Sequence, residues 1–369
     1  MFIGGGVQEV VLALRDGVQA RGHDAYIITP QPRNYRGPVP EGIICVGGGT
    51  SVKTFHTAGQ ISASVDTDKL EKMLERHRFD IINFHEPWVP VLSRQILSRS
   101  EAINIGTFHA ALPDRLMTRT IERVITPYTK SILKYLDVLT AVSPAATSYV
   151  GSMSNRKINI IANGIDLTKY KLADEKPRNP HRAKNILYIG RLEKRKGVKY
   201  LLEAFAILRQ VHPEYTLTIA GDGPDRDKLE YFAKDNKISH VNFLGYIDEA
   251  TKLRLLHEAD VFCSPALYGE SFGIVLLEAM ASGCVTVAGN NSGYEGVLRG
   301  LGQISIVNPK DTVEFARRLA LVGSDEGLRN LWKEWAKNEV AKYNYDRIVD
   351  QYVKLYQAAY SKKLSVKAG

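Results

Sequence analysis

The stretch from Asp260 to Ala288 restricts the fold more than any other part of the chain. Two apolar runs, Asp260–Pro265 and Cys284–Ala288, read as buried strands. Between them the pattern predicts a helix that begins near Gly273 and stops at Ser282, with Gly283 as its left-handed end. Ile274, Val275, Leu276, Leu277, Ala279, Met280 and Ala281 leave this helix apolar almost all round, so it must be buried. A buried helix joining two buried strands is the crossover of a parallel sheet.

Within that helix stands one carboxylate, Glu278, and just before it another, Glu270. An acid in a dry helix is costly unless paired or hydrogen-bonded. Taken alone, the pair equally fits a core acid matched by Arg or Lys and an ordinary loop acid. The loop Glu270-Ser271-Phe272-Gly273 adds free backbone N–H groups at a helix N-terminus, which suit an anion. Amides for a diphosphate and carboxylates for sugar and ribose hydroxyls together point to a nucleotide sugar.

The 369 residues allow two domains, each with its own core. Hydrophobic content of 44% and charged content of 24% are those of a globular protein. Cys45, Cys263 and Cys284 are odd in number and widely spaced, which predicts reduced core residues in a cytoplasmic protein, and no metal-ligand spacing appears. The start Met1-Phe2-Ile3-Gly4 lacks the pattern of a signal peptide, and no run approaches the ~18 apolar residues of a spanning helix. The net charge of +9 suits anionic ligands. Nucleic acid is disfavoured, because no recognised binding module or zinc spacing is present.

Gly4, Gly5 and Gly6 run into a predicted helix Glu9–Arg21, which fits equally a device that lets backbone approach phosphate and a flexible N-terminus. Strands then alternate with helices through Lys157–Ala162. This density of alternation predicts a doubly wound parallel sheet, whose ligands bind at the carboxyl ends of its strands. His85-Glu86-Pro87 and His109 fall at two such ends. The helical region 115–135 repeats Arg115, Arg119 and Arg123 beside an apolar stripe, and Pro127 should kink it or start a second helix. A solvated face or contact with an anionic membrane explains that pattern equally.

Leu167–Lys184 is polar, contains two prolines, and reads as a linker. A second alternation follows, ending in a strand Gln303–Val307 and a tail that is helical from Val313 to Tyr360. Gly190-Arg191-Leu192-Glu193-Lys194-Arg195-Lys196-Gly197 lies at a strand's carboxyl end. There Arg191 and Lys196 suit a diphosphate whose leaving charge they neutralise; a solvated basic turn is the alternative. Asp66-Thr67-Asp68 and Asp225-Arg226-Asp227 are read as helix caps rather than metal ligands.

These motifs together resemble the family-four retaining glycosyltransferases of GT-B architecture, two Rossmann-like α/β domains facing across a cleft. Within that class they resemble the bacterial phosphatidylinositol α-mannosyltransferases. The resemblance rests on Gly5-Gly6-Val7-Gln8, His85-Glu86-Pro87, Thr107-Phe108-His109, Asn163-Gly164-Ile165-Asp166, the Arg191/Lys196 motif, Phe243-Leu244-Gly245 and the run from Gly269 to Met280. It implies an N-terminal acceptor-side domain 1–166, a linker 167–184, a donor domain 185–344, and a C-terminal helix 345–369 crossing back onto the first domain. It further implies that Gly5 and Gly6 lie near the donor diphosphate and that Arg191 and Lys196 bind it. Glu270 would hold the transferred sugar, with Ser271 and the amides of Phe272, Gly273 and Ile274 beside it. Glu278 would hold the ribose, and Tyr246 and Ile247 would line the base pocket. His109 would act at the reacting carbon, while Gln8, His85, Glu86 and Trp88 face the acceptor.

The implied reaction moves a hexose, mannose by resemblance, from GDP-mannose or a UDP-hexose to a lipid or glycan. It proceeds with retention, without a protein nucleophile and without a tightly bound cofactor or metal. The implied location is cytoplasmic, or peripheral on the inner face of the membrane. Three departures stand out. Only four residues precede the glycine loop, so either the start lies upstream or the first sheet lacks a central strand. Trp88 and Ala110-Ala111-Leu112-Pro113 replace polar residues on the acceptor side and argue against an inositol phospholipid acceptor. The competing classes are a nucleotide-sugar epimerase or phosphorylase of the same fold, and a non-catalytic nucleotide-sugar-binding protein.

Overall fold

The computed structural model describes residues 6–31, 35–54, 57–64, 66–88, 91–110, 118–170 and 184–368. It divides into two compact units, one made of residues 1–164 and 345–369, the other of 165–344. Each is layered α/β.

In the first unit the elements run α1 (Gly6–Gln19), β1 (Ile27–Gln31), β2 (Ile43–Thr54), β3 (Thr57–Ser64), α2 (Thr67–His77), β4 (Ile81–His85) and α3 (Leu92–Leu97). They continue with β5 (Ile103–Phe108), α4 (Thr118–Leu133), β6 (Val138–Ala141), α5 (Pro144–Gly151) and β7 (Ile158–Ile160). β4-β5-β6-β7 form one parallel sheet, and every residue of β5 is buried, as a central strand requires. β1 pairs parallel with β2, and β2 turns back antiparallel on β3 in a separate three-stranded sheet. That hairpin is longer than the short strand the apolar run at Ile43–Val46 suggests.

Among the described residues β1 and β4 are edges of different sheets. A cavity of about 1010 Å³ is lined by both, with Ile28 contributing from β1 and Ile82 and Phe84 from β4. α4 is one continuous helix with Pro127 inside it, so no second helix starts there. Proline lacks the donor for one rung of the ladder, and neighbouring rungs carry the turn. Asp66 caps α2 by accepting from the Lys69 amide.

The second unit opens with a 3-10 turn, Leu167–Tyr170, and then runs β8 (Lys184–Ile189), a 3-10 turn Lys194–Lys196, α6 (Val198–Val211), β9 (Tyr215–Ala220) and α7 (Arg226–Asp235). Next come β10 (Val241–Gly245), α8 (Glu249–Glu258), β11 (Val261–Ser264), α9 (Ile274–Ala281), β12 (Val285–Gly289) and α10 (Ser292–Val297). β13 (Ile306–Val307), α11 (Thr312–Ser324) and α12 (Glu326–Val340) complete it. Its sheet is parallel in the order β10-β9-β8-β11-β12-β13. The order reverses between β8 and β11, which makes their carboxyl ends the switch point where such sheets take ligands.

Two expectations are corrected here. The linker does not begin at Leu167: Tyr170 is 4% exposed and belongs to the core of this unit, while residues 171–183 lie outside the described set. The strand expected over Gln303–Val307 is mostly a 3-10 turn, Gly300–Ser305, followed by two paired residues. The Trp332 indole donates to Ser305 Oγ at 2.8 Å, and the Trp335 ring lies where a Cβ on Gly302 would stand. The tail is helical, as expected, but is divided into successive helices. Asp325 caps α12 and Ala341–Tyr343 is a 3-10 turn.

The last helix, α13 (Tyr345–Ala368), rejoins the first unit. Ile348, Val349 and Tyr352 pack with Leu14, Val18 and Ile161. Gly17 permits this crossing, since a Cβ there would lie 2.5 Å from Val349. Tyr356 of α13 also reaches a polar ladder across the sheet. Thr107 Oγ1 donates to Asn83 Oδ1 and lies 2.7 Å from Thr140 Oγ1, while Asn83 Nδ2 donates to the Tyr356 hydroxyl.

Candidate functional site

In the second unit the turn after β8 and the loop after β11 meet at the switch point. Gly197 makes this approach, because its φ of 71° is left-handed and a Cβ would sit 2.1 Å from the Pro265 carbonyl. The Leu267 amide donates to the Arg195 carbonyl at 2.8 Å and stitches the two segments together. Gly273, at φ 99°, then turns the loop into α9.

This geometry gathers a charged cluster. Lys196 Nζ lies 2.8 Å and Arg195 Nη1 2.6 Å from the same Glu270 oxygen, Oε1. Arg195 Nε reaches Glu193 Oε2 at 3.1 Å, and Arg191 Nη2 reaches Glu193 Oε1 at 2.9 Å. Glu193 is 5% exposed, so two arginines compensate its burial. Burial pulls the Arg195 guanidinium down, but Glu270 and Glu193 more than offset it and its pKa lies above the ordinary value. Beside the cluster, the backbone N–H groups of Phe272, Gly273 and Ile274 donate to no acceptor among the described residues. Cations and uncommitted amides next to a carboxylate can take a phosphate and a hydroxyl together.

Glu278 is separate from this cluster. It is 7% exposed on α9 and pairs with Lys252, as the bland reading of a core acid required. Tyr246 and Ile247 follow β10 at the same edge of the sheet, with Tyr246 87% exposed. Ser271 is part-buried, and Phe272 packs edge-on against Tyr343.

In the first unit His85, Glu86 and His109 come together where β4 and β5 end. His85 Nδ1 and His109 Nε2 are 2.8 Å apart, so one of the two carries the proton between them. Desolvation lowers His85 to about 4 and His109 well below the ordinary value, and the pair is neutral at pH 7. Glu86 Oε1 accepts from the His109 and Ala110 amides, each at 2.6 Å. Its other oxygen is buried without a partner, its φ is 56°, and desolvation pushes the carboxyl up to about 7 against the pull of those two bonds. Trp88 packs against Phe108 and Tyr149, which accounts for its bulk structurally. Gly6 and Gln8 are exposed on the first turn of α1. Gly5 and Arg115 lie outside the described residues, as do the side chains of Arg119 and Arg123 on α4.

Sequence reasoning gave no site role to Glu193, Arg195, Tyr170, Lys252 or Asn163. The first two stand inside the basic motif, where a lone acid between cations was the available signal. Asn163 is 5% exposed, lies beside His109, and keeps its Oδ1 without a well-formed hydrogen bond.

Comparison with known proteins agrees with this geometry. Residues 4–169 match the model for Glycosyltransferase Family 4, and residues 170–339 that for Glycosyl transferases group 1. The phosphatidyl-myo-inositol mannosyltransferase of Mycolicibacterium smegmatis is 30% identical over 355 residues, covering 96% of this chain and 90% of that protein. Among solved structures, sucrose-phosphate synthase from Thermosynechococcus elongatus superposes with a TM-score of 0.76 at 21% identity, over 97% of this chain and 94% of that one. Anabaena HepE, solved with UDP and glucose, gives 0.65 at 19% identity, over 79% and 80%. With its two parallel-sheet units and a match to both family models, the chain belongs to the family-four glycosyltransferases of GT-B fold and is a glycosyltransferase.

Proposed function

We propose that this glycosyltransferase moves a hexose, mannose, from a nucleotide-diphosphate sugar to a hydroxyl of a lipid acceptor, with retention at the transferred carbon. The observation that carries the reading is the cluster at the switch point, where three amides that donate to no acceptor among the described residues follow Glu270, itself paired with Lys196. Arg191 and Lys196 take the diphosphate, and Glu270 takes hydroxyls of the sugar. Glu278 takes the ribose, and Tyr246 and Ile247 flank the base. His109, neutral and tied to His85, is assigned the transferred sugar, and Gln8, His85, Glu86 and Trp88 are assigned the acceptor, as the family resemblance implies.

In the reaction the bond from the sugar's anomeric carbon to the diphosphate oxygen breaks. The acceptor oxygen bonds to that carbon from the same face, and its proton passes to the departing diphosphate. Arg191 and Lys196 stabilise the charge that develops there. The donor is GDP-mannose or a UDP-hexose. The mycobacterial relative's name supports mannose and a lipid, and HepE's bound UDP supports a nucleotide donor. No helix among the described residues is long and apolar enough to cross a membrane. Contact with an anionic bilayer on its inner face is assigned to the stretch holding Arg115, Arg119 and Arg123.

The test is transfer from labelled GDP-mannose and UDP-hexoses to phosphatidylinositol and other lipid vesicles. Lys196→Ala and Glu270→Ala should each lower kcat/KM by about a hundred-fold or more with the melting transition retained. Full activity in either variant removes the site assignment. Sedimentation with anionic vesicles should fall when the three arginines are neutralised.

A further inference from the structure

Glu278 is held in a way its place on an apolar helix does not require. Its Oε1 accepts two hydrogen bonds, from the Tyr170 hydroxyl at 2.9 Å and from Lys252 Nζ at 2.7 Å. Tyr170 ends the 3-10 turn at the start of the unit, and Lys252 stands on α8, where Nζ also lies 2.9 Å from Glu249. Two donors from separate elements fix the plane of the carboxylate. Among the described residues Oε2 receives no hydrogen bond, and it is not sealed from solvent. Glu270 repeats the device, with Arg195 and Lys196 both on its Oε1.

A carboxylate that only packed a core would be matched on both oxygens. One with a single oxygen locked and the other open is a fixed acceptor, which suits a ribose hydroxyl pair. Burial draws the Lys252 ammonium down, yet the Glu278 carboxylate more than offsets it, so Lys252 stays protonated at neutral pH.

We propose that Tyr170 and Lys252 are positioning residues which, through Glu278, make the site select a ribonucleotide over its deoxy counterpart. This rests on the nucleotide-sugar reading above. Neither residue touches the nucleotide; both act by orienting the open oxygen. A purely structural role would lower stability and weaken every ligand alike.

The experiment is calorimetric titration of the full chain with UDP and GDP. It is repeated with the 2′-deoxy and 3′-deoxy forms of whichever binds, and with inorganic pyrophosphate. The wild type should prefer the ribonucleotide by about ten-fold or more, as expected for a hydrogen bond to a charged group. Tyr170→Phe and Lys252→Met should reduce that preference to about three-fold or less, with pyrophosphate affinity unchanged, and Lys252→Arg should restore part of it. A preference unchanged in both variants overturns the proposal. So does an equal loss for ribonucleotide, deoxynucleotide and pyrophosphate. If Glu278→Gln loses the preference while Tyr170→Phe and Lys252→Met keep it, the positioning role alone fails. If the wild type binds neither UDP nor GDP, the nucleotide site fails and the proposal with it.

Discussion

Replacing Glu86 by glutamine should remove a pH dependence that the fold imposes on itself. The amide oxygen can still accept from the His109 and Ala110 amides, which now reach Glu86 Oε1 at 2.6 Å. What disappears is ionisation in a desolvated place. The folded carboxyl is raised from 4.5 to about 7, so between those values the folded state keeps a proton that the unfolded chain has released. Stability therefore declines as pH rises through that window and stays lowered above it. At 1.36 kcal/mol for each tenfold change, the whole decline is about 3 kcal/mol. Glutamine brings its own cost of about 1–3 kcal/mol, from an amide nitrogen without a partner where Oε2 is now buried. That cost does not vary with pH, so the diagnostic quantity is the slope. Urea denaturation of wild type and Glu86→Gln from pH 5 to 8.5 should show the difference moving by about 2–3 kcal/mol toward the variant as pH rises. Parallel profiles would refute the argument, whatever their offset.

His85 should act at the other limb. Its folded pKa of about 4 lies below the ordinary 6.5, so stability is lost as pH falls from 6.5 toward 4, and His85→Asn should flatten that loss in the same titration. Gly197→Ala forces a Cβ to within 2.1 Å of the Pro265 carbonyl at a left-handed φ, and the denaturation midpoint should drop by the equivalent of about 2 kcal/mol or more. Because Arg191 and Lys196 are assigned the diphosphate charge, transfer should survive dialysis against a chelator. Activity lost on chelation and restored by Mg²⁺ alone would contradict that assignment.

Much of the layout was legible because it depends on local rules. Gly273 and Gly283 bracket a helix whose apolar residues cover every face, and α9 forms between them. Alternating apolar runs placed the strands of the parallel sheets, and the two acids with the two cations marked the switch point. What escaped notice depends on groups distant in sequence. Tyr170 meets Glu278 across 108 residues, and no local pattern announces it. Arg195 was passed over although it touches both Glu193 and Glu270, because charge type alone does not say which of three adjacent cations turns inward. The Gln303–Val307 run has the composition of a strand, but its backbone is set by Trp332 and Trp335 on a helix some 30 residues on. Residues 171–183, where the linker was expected, lie outside the described set.

The return of α13 to the first unit bears on how the protein is made. Residues 165–344 form an uninterrupted unit that can condense as soon as they leave the ribosome. The half synthesised first has no such freedom, for Leu14 and Val18 await Ile348, Val349 and Tyr352, and Arg21 awaits Asp350, 329 positions later. Biogenesis thus runs out of order, with the amino-terminal half completed last by the final two dozen residues. Truncations near Tyr345 should therefore leave the opposite end of the polypeptide open to proteases.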